Sequence, residues 1–143
     1  MALSGTAEQV RALVGDLTLL HDAGALSTGL LEQMPDLQVV VMDDRGGGIF
    51  ETLEHGGLTG DADGRARFER FFATPQDVDL AALCTGYAVR YTLAKDVDSL
   101  RQVLARPGRG LSVVHCPIDR TGRRDLGDRL AQAVHESVAD LSG

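Results

Sequence analysis

Tryptophan is absent from these 143 residues, and aromatic residues together make up 4%. A core must therefore be aliphatic, built from Leu, Val, Ile and Ala. The two cysteines, Cys84 and Cys116, are too few for a disulfide framework and lack the CxxC spacing of a metal or redox site. Basic residues are in deficit, with Lys+Arg 14 against Asp+Glu 21 and a net charge of −7. An acidic field repels phosphate backbones and anionic lipid, so the sequence points to no nucleic-acid partner and no membrane surface. No apolar run approaches the ~20 residues of a membrane span, and no basic segment precedes a signal-like core. The expectation is a cytoplasmic protein.

What the sequence does have is 43% hydrophobic and 24% charged residues, enough for one globular core. It also has 17 glycines without a repeat period. That combination suggests backbone turns that approach a ligand or one another closely, rather than disorder.

After a small, polar opening, MALSGTAEQ, the run Val10–Val14 is apolar and stops at Gly15-Asp16. Helical spacing of Leu17, Leu20, Ala23, Leu26 and Leu30 predicts a helix over 17–33, weakened by Gly24 and Gly29 and ended by Pro35. The run 37–42 is nearly all apolar and β-branched, which suits a parallel strand buried on both faces. Residues 55–65 read as a mobile glycine-rich loop, 67–72 as a short helix ended by Pro75. A further helix is expected from a cap at Asp77 through Gly86, with Val78, Leu80, Ala81 and Leu83 inward. Strands at 88–93 and 111–116 flank a helix at 97–105, and a last helix over 126–141 carries the stripe Leu126, Leu130, Ala133, Val134, Val138 and Leu141. The alternation predicts an α/β fold, a three-layer doubly wound domain with a mainly parallel sheet. In such sheets ligands bind beyond the carboxyl ends of the strands.

Two acidic-glycine turns follow predicted strands: Gly15-Asp16-Leu17-Thr18 and Asp43-Asp44-Arg45-Gly46-Gly47-Gly48. Taken singly, the first reads as a helix cap and the second as a turn. Together they stand 28 positions apart with one helix between, the interval that two adjacent parallel strands and their crossover need. Two carboxylates and a backbone carbonyl in a glycine turn describe a hard-cation site for Mg²⁺. The helix start after Asp16 and the Thr18 hydroxyl offer donors to a diphosphate.

These motifs resemble the signature of thiamine-diphosphate enzymes, usually Gly-Asp-Gly, a gap and Asn-Asn. The stretches Val14–Asp22, Gly46–Phe50, Phe72–Pro75, Val78-Asp79 and Asp119-Arg120 look like one branch of that family, the 2-succinyl-5-enolpyruvyl-6-hydroxy-3-cyclohexene-1-carboxylate synthases of menaquinone biosynthesis in their actinobacterial form. The resemblance implies thiamine diphosphate and Mg²⁺ (or Mn²⁺) as cofactors. It implies Asp16, Asp44 and Gly46 as metal ligands, and Gly15, Leu17, Thr18, Gly47, Gly48, Ile49 and Phe50 as further cofactor contacts. Ile49, Phe50 and Leu53 would face substrate.

By the same resemblance, residues 1–143 are the C-terminal diphosphate-binding domain of a three-domain homodimeric or homotetrameric enzyme. The parent reaction decarboxylates 2-oxoglutarate and adds the succinyl semialdehyde carbanion to isochorismate. No catalytic residue is expected here, because the activating glutamate lies on the N-terminal domain, so the chain alone should be inactive. Leu17, the Asp43-Asp44 pair, Arg45 and His115 depart from the usual pattern; His115 stands where a carboxylate is expected, with its role open.

Two other classes compete with this reading. A receiver domain would need a phospho-acceptor at the end of a later strand, and Asp79 falls in a helical pattern. A non-catalytic α/β binding module, or the corresponding domain of an acetohydroxyacid synthase-like enzyme, stays open. His21-Asp22 do not face each other on a helix; His55 and His135 read as solvated and Cys84 as helix packing.

Overall fold

A computed structural model of the chain describes residues 10–106 and 108–141, with the side chains of 139–141 left out. The opening MALSGTAEQ and the Leu141 side chain therefore lie outside the described residues. The chain divides into two compact units, one comprising the residues up to Gly46 with Gln76–Ile118, the other Gly47–Pro75 with the stretch from Asp119 on.

The first unit is a parallel sheet of β1 (Val10–Gly15), β2 (Leu37–Asp43), β3 (Arg90–Leu93) and β4 (Ser112–Pro117), in the order β1-β2-β4-β3. β2 is continuously buried from Gln38 to Val41, as its unbroken apolar run predicts. Its side chains alternate between two cores. Val39 and Val41 join Val113 of β4, Leu19 and Leu26 of the first crossover, and Leu80 and Cys84 of α3 (Leu80–Gly86). Val40 joins Val114 and Cys116 on the other face, against Leu100, Val103 and Leu104 of α4 (Val97–Leu104). Helices thus cover both faces, as a doubly wound domain requires.

Several sequence expectations give way. The helix expected over 17–33 is only α1 (Asp16–His21), followed by a 3-10 turn at Ala23–Leu26. Short helices persist only where an apolar face is buried, and Leu30 and Leu31 are fully exposed. The cap of α3 is Asp79, not Asp77: its carboxylate accepts from the N–H groups of Ala81 and Ala82 at 2.9 and 3.0 Å. Val78 accordingly lies before the helix and is exposed. β3 starts at Arg90 rather than Ala88, whose φ of 56° takes it out of an extended strand.

In the second unit, the stretch 55–65 expected as a loop is helical. It forms a 3-10 segment, Glu54–Gly60, and the start of α2 (Ala62–Phe68), capped by Asp61 on the Gly64 N–H. Glycine is what permits this packing. A Cβ on Gly56 would lie 1.9 Å from the Glu51 carbonyl oxygen, and one on Gly64 would lie 1.9 Å from that of Leu58. The helix expected at 67–72 is divided between the end of α2 and a π turn, Glu69–Ala73, which Thr74 closes in the left-handed region. α5 (Arg123–Leu141) begins three residues earlier than expected. Its stripe is not inward: Leu126, Leu130, Val134 and Val138 are all exposed.

Candidate functional site

β1 pairs directly with β2, Gly15 opposite Met42. The turns that follow both strands therefore leave the same edge of the sheet. Gly15 ends β1 in extended backbone and caps α1, so Asp16 opens the helix and is 5% exposed. The turn after β2 comes back over it: the Gly46 N–H donates to Asp16 Oδ2 at 2.7 Å. Arg45 and Gly46 both take positive φ, 61° and 121°, which turns the chain sharply enough for this contact. Within the turn Asp43 Oδ1 accepts from the Arg45 N–H at 2.9 Å.

Burial pushes the Asp16 carboxyl up from its ordinary 3.8, and repulsion from Asp43 and Asp44 adds to this. The Leu17 and Gly46 N–H groups pull it back only in part. Asp43 and Asp44 are thus near enough for their charges to act on Asp16, whose largest upward push is desolvation. That environment favours a cation. Among the described residues no three His, Cys, Asp or Glu side chains are grouped as a metal would require. A cation here would have to draw its remaining oxygens from backbone carbonyls, water and a bound anion, which is how Mg²⁺ is usually held.

The structure ties Asp16 to Gly46 and puts Asp44 within electrostatic range of Asp16, with Gly15 and Leu17 adjoining in sequence and the Thr18 side chain exposed. Gly47, Gly48, Ile49, Phe50 and Leu53 belong to the second unit. There Gly47 and Gly48 are buried, while Ile49, Phe50 and Leu53 are 62%, 37% and 47% exposed. Gly47 donates its N–H to the Ala73 carbonyl at 2.7 Å, and a Cβ on it would lie 2.5 Å from the Phe72 carbonyl oxygen. His55, expected to be simply solvated, also packs its ring 4.4 Å from that of Phe72. Cys84 is buried, as expected.

Sequence reasoning left one group unassigned. His115 Nε2 lies 2.7 Å from Asp43 Oδ2, and His115 Nδ1 lies 2.8 Å from the Tyr91 hydroxyl. No local signal could have found this set, since Tyr91 and Asp43 are 24 and 72 residues away in sequence.

No family model matches the chain. Individual proteins do. The 2-succinyl-5-enolpyruvyl-6-hydroxy-3-cyclohexene-1-carboxylate synthase of Renibacterium salmoninarum is 45% identical over 133 residues, covering 93% of this chain and 24% of that protein. The synthase of the same name from Rhodococcus erythropolis is 49% identical over 116 residues, 80% of this chain and 21% of that protein. The one from Kineococcus radiotolerans is 48% identical over 130 residues, 90% of this chain and 22% of that protein. The chain spans about a quarter of the length of these curated relatives. Among solved structures, benzoylformate decarboxylase from Polynucleobacter necessarius superposes with a TM-score of 0.62 at 22% identity, over 82% of this chain and 21% of that chain, and so shares the fold. By its sequence, the chain is similar over 80–93% of its own length to about a quarter of several proteins named 2-succinyl-5-enolpyruvyl-6-hydroxy-3-cyclohexene-1-carboxylate synthase.

Proposed function

We propose that this chain is the C-terminal, diphosphate- and Mg²⁺-holding domain of a thiamine-diphosphate-dependent synthase of menaquinone biosynthesis. The observation that carries the proposal is the corner at the end of β1 and β2, where buried Asp16 is tied to the Gly46 N–H beside the carboxylates of Asp43 and Asp44. This all-oxygen donor set fits Mg²⁺, and Mn²⁺ as its substitute. Asp16, Asp44 and the Gly46 carbonyl would hold the metal, and the metal would hold the diphosphate. When bound, thiamine diphosphate supplies the stabilisation of negative charge that decarboxylation of a 2-oxo acid needs. The chain's own residues bind and orient. Asp16 and Asp44 compensate the cation, Gly46 fixes the turn, and the apolar Ile49, Phe50 and Leu53 limit water near the substrate.

The full reaction, in this reading, decarboxylates 2-oxoglutarate and transfers the remaining four-carbon unit to isochorismate in a homodimeric or homotetrameric enzyme. This chain contributes no catalytic acid or base, so alone it should not decarboxylate 2-oxoglutarate.

The test is the thermal stability of the full-length enzyme with thiamine diphosphate and Mg²⁺. Wild type should gain stability, and a chelator should abolish the gain. Asp44→Ala should raise the half-saturating Mg²⁺ concentration by at least about 10- to 100-fold, the range seen when even an outer-sphere partner is lost. Asp36→Ala, whose carboxylate instead accepts from the Gly110 N–H, should leave it unchanged. A gain that survives chelation, or one that Asp44→Ala leaves intact, would overturn the metal assignment.

A further inference from the structure

Asp43, Tyr91 and His115 come from three different strands. β4 lies between β2 and β3, so a side chain on it can reach both neighbours. His115 is in register with Val41 and with Leu93. Asp43 and Tyr91 are each two residues from those partners, which puts all three on the face that also carries Val41 and Val113. The His115 and Asp43 side chains are 14% and 19% exposed, so their 2.7 Å contact is largely shielded from water.

The imidazole has a carboxylate on one side and a hydroxyl on the other. A carboxylate oxygen accepts, so the Asp43 contact takes its proton from Nε2. Burial, with smaller contributions from Asp79, Cys84 and Asp43, pushes the Tyr91 phenol up, so it keeps its proton and can donate to Nδ1. The hydrogen bonds then run in one direction, from the Tyr91 hydroxyl to His115 and from His115 to Asp43.

Asp43 is also the near end of the acidic turn. Its carbonyl accepts from the Ile118 N–H at 2.7 Å, and its second carboxylate oxygen accepts from the Arg45 N–H. The far end is tied by Gly46 to Asp16. Between the two ties Arg45 sits in left-handed backbone, a conformation that a non-glycine residue keeps only when its surroundings hold it there.

We propose that His115 is a positioning residue for this turn: by donating Nε2–H to Asp43, and with its ring oriented by Tyr91, it sets where Asp44 and the Gly46 carbonyl are presented to the metal. The proposal rests on the metal-site reading above and adds to it a residue that acts through Asp43.

The experiment is a titration of the full-length protein with Mn²⁺ in the presence of thiamine diphosphate, following free Mn²⁺ by electron paramagnetic resonance. His115→Leu should weaken Mn²⁺ binding about tenfold. His115→Gln, whose amide can donate from near the Nε2 position, should recover binding to within about threefold of wild type. Tyr91→Phe should fall between them. Nitrogen-15 spectra of wild type should show His115 protonated at Nε2. Unchanged binding in His115→Leu, a glutamine variant no better than leucine, or a neutral ring protonated only at Nδ1 would each overturn the proposal. If His115→Leu does not fold, the glutamine and Tyr91→Phe variants and the spectrum decide. Asp44→Ala separates the two readings. If it too binds Mn²⁺ like wild type, the metal site itself falls and His115 with it; if it loses binding while His115→Leu does not, only the role of His115 falls.

Discussion

The sheet unit and the second unit use glycine and apolar side chains in different ways. In the sheet unit the core is β-branched: Val41, Val113 and Val114 are at most 1% exposed. A Cβ on Gly24 or Gly86 there would meet nothing within 4 Å. In the second unit Phe68 is the large buried side chain, stacked 5.9 Å from Phe72. Gly47, Gly56 and Gly64 let one stretch of backbone lie directly against another. Every described side chain of α5 is exposed. The sheet unit is specified by which side chains interdigitate, the second unit by where side chains are missing. Chemistry divides similarly: the acidic corner belongs to the strand ends of the sheet unit, and the exposed Ile49, Phe50 and Leu53 belong to the glycine-packed unit.

The sharpest way to break this contrast is Phe68→Ala. Removing a fully buried phenylalanine should cost about 3–5 kcal/mol, read by urea unfolding of the full-length enzyme. If the corner depends on the sheet unit alone, Mg²⁺ affinity in the still-folded fraction should stay within about twofold. A joint collapse of affinity and stability would make the contrast false.

A smaller effect tests the glycine argument. Gly56→Ala should destabilise by about 1–3 kcal/mol, because its methyl group meets backbone rather than a flexible side chain. Gly57→Ala, with open space around its Cβ, should be close to neutral. Equal losses in the two variants would mean that flexibility, not close approach, explains the glycines.

The smallest effect concerns the sheet unit's helix caps. Asp96 caps α4 in a reciprocal box with Ser99, and the Ser99 N–H bond holds its carboxyl below the ordinary 3.8. A depressed carboxyl contributes stability above its unfolded value and loses it as pH falls through its folded value. Asp96→Ala should therefore destabilise slightly at pH 7, and the difference from wild type should vanish in acid. A difference that persists unchanged at pH 2 would assign the effect to packing.

The sheet unit was the legible part of the sequence. Val39-Val40-Val41 announces a strand buried on both faces, and the interval from Gly15-Asp16 to Asp43-Asp44 places two turns on one edge of a sheet. Both hold in the structure because each rests on local pattern plus one crossover. Periodicity overstates the 17–33 helix because it registers Leu30 but not whether any surface exists to receive it. Residues 55–65 read as a loop because glycine signals one in isolation, whereas here its missing side chain is what lets helical turns pack. His115 was not assignable at all: its meaning depends on Tyr91 and Asp43, which only the strand order delivers.

That strand order also has a consequence in time. β4 is made last but sits in the middle, between β2 and β3. As the chain emerges from its N-terminus, β1 and β2 can pair early, yet the other edge of β2 must wait some 70 residues for Ser112–Pro117. Until then an apolar strand with an unpaired row of N–H and C=O groups is exposed, the form of edge that recruits other chains. β3 waits beside it without a partner in the sheet. The acidic corner is completed in the same final step, since Asp43 gains the Ile118 and His115 contacts only when β4 arrives. A chain stopped short of Ser112 would carry Asp16, Asp44 and Gly46 intact in sequence, but without the strand that locks their turn.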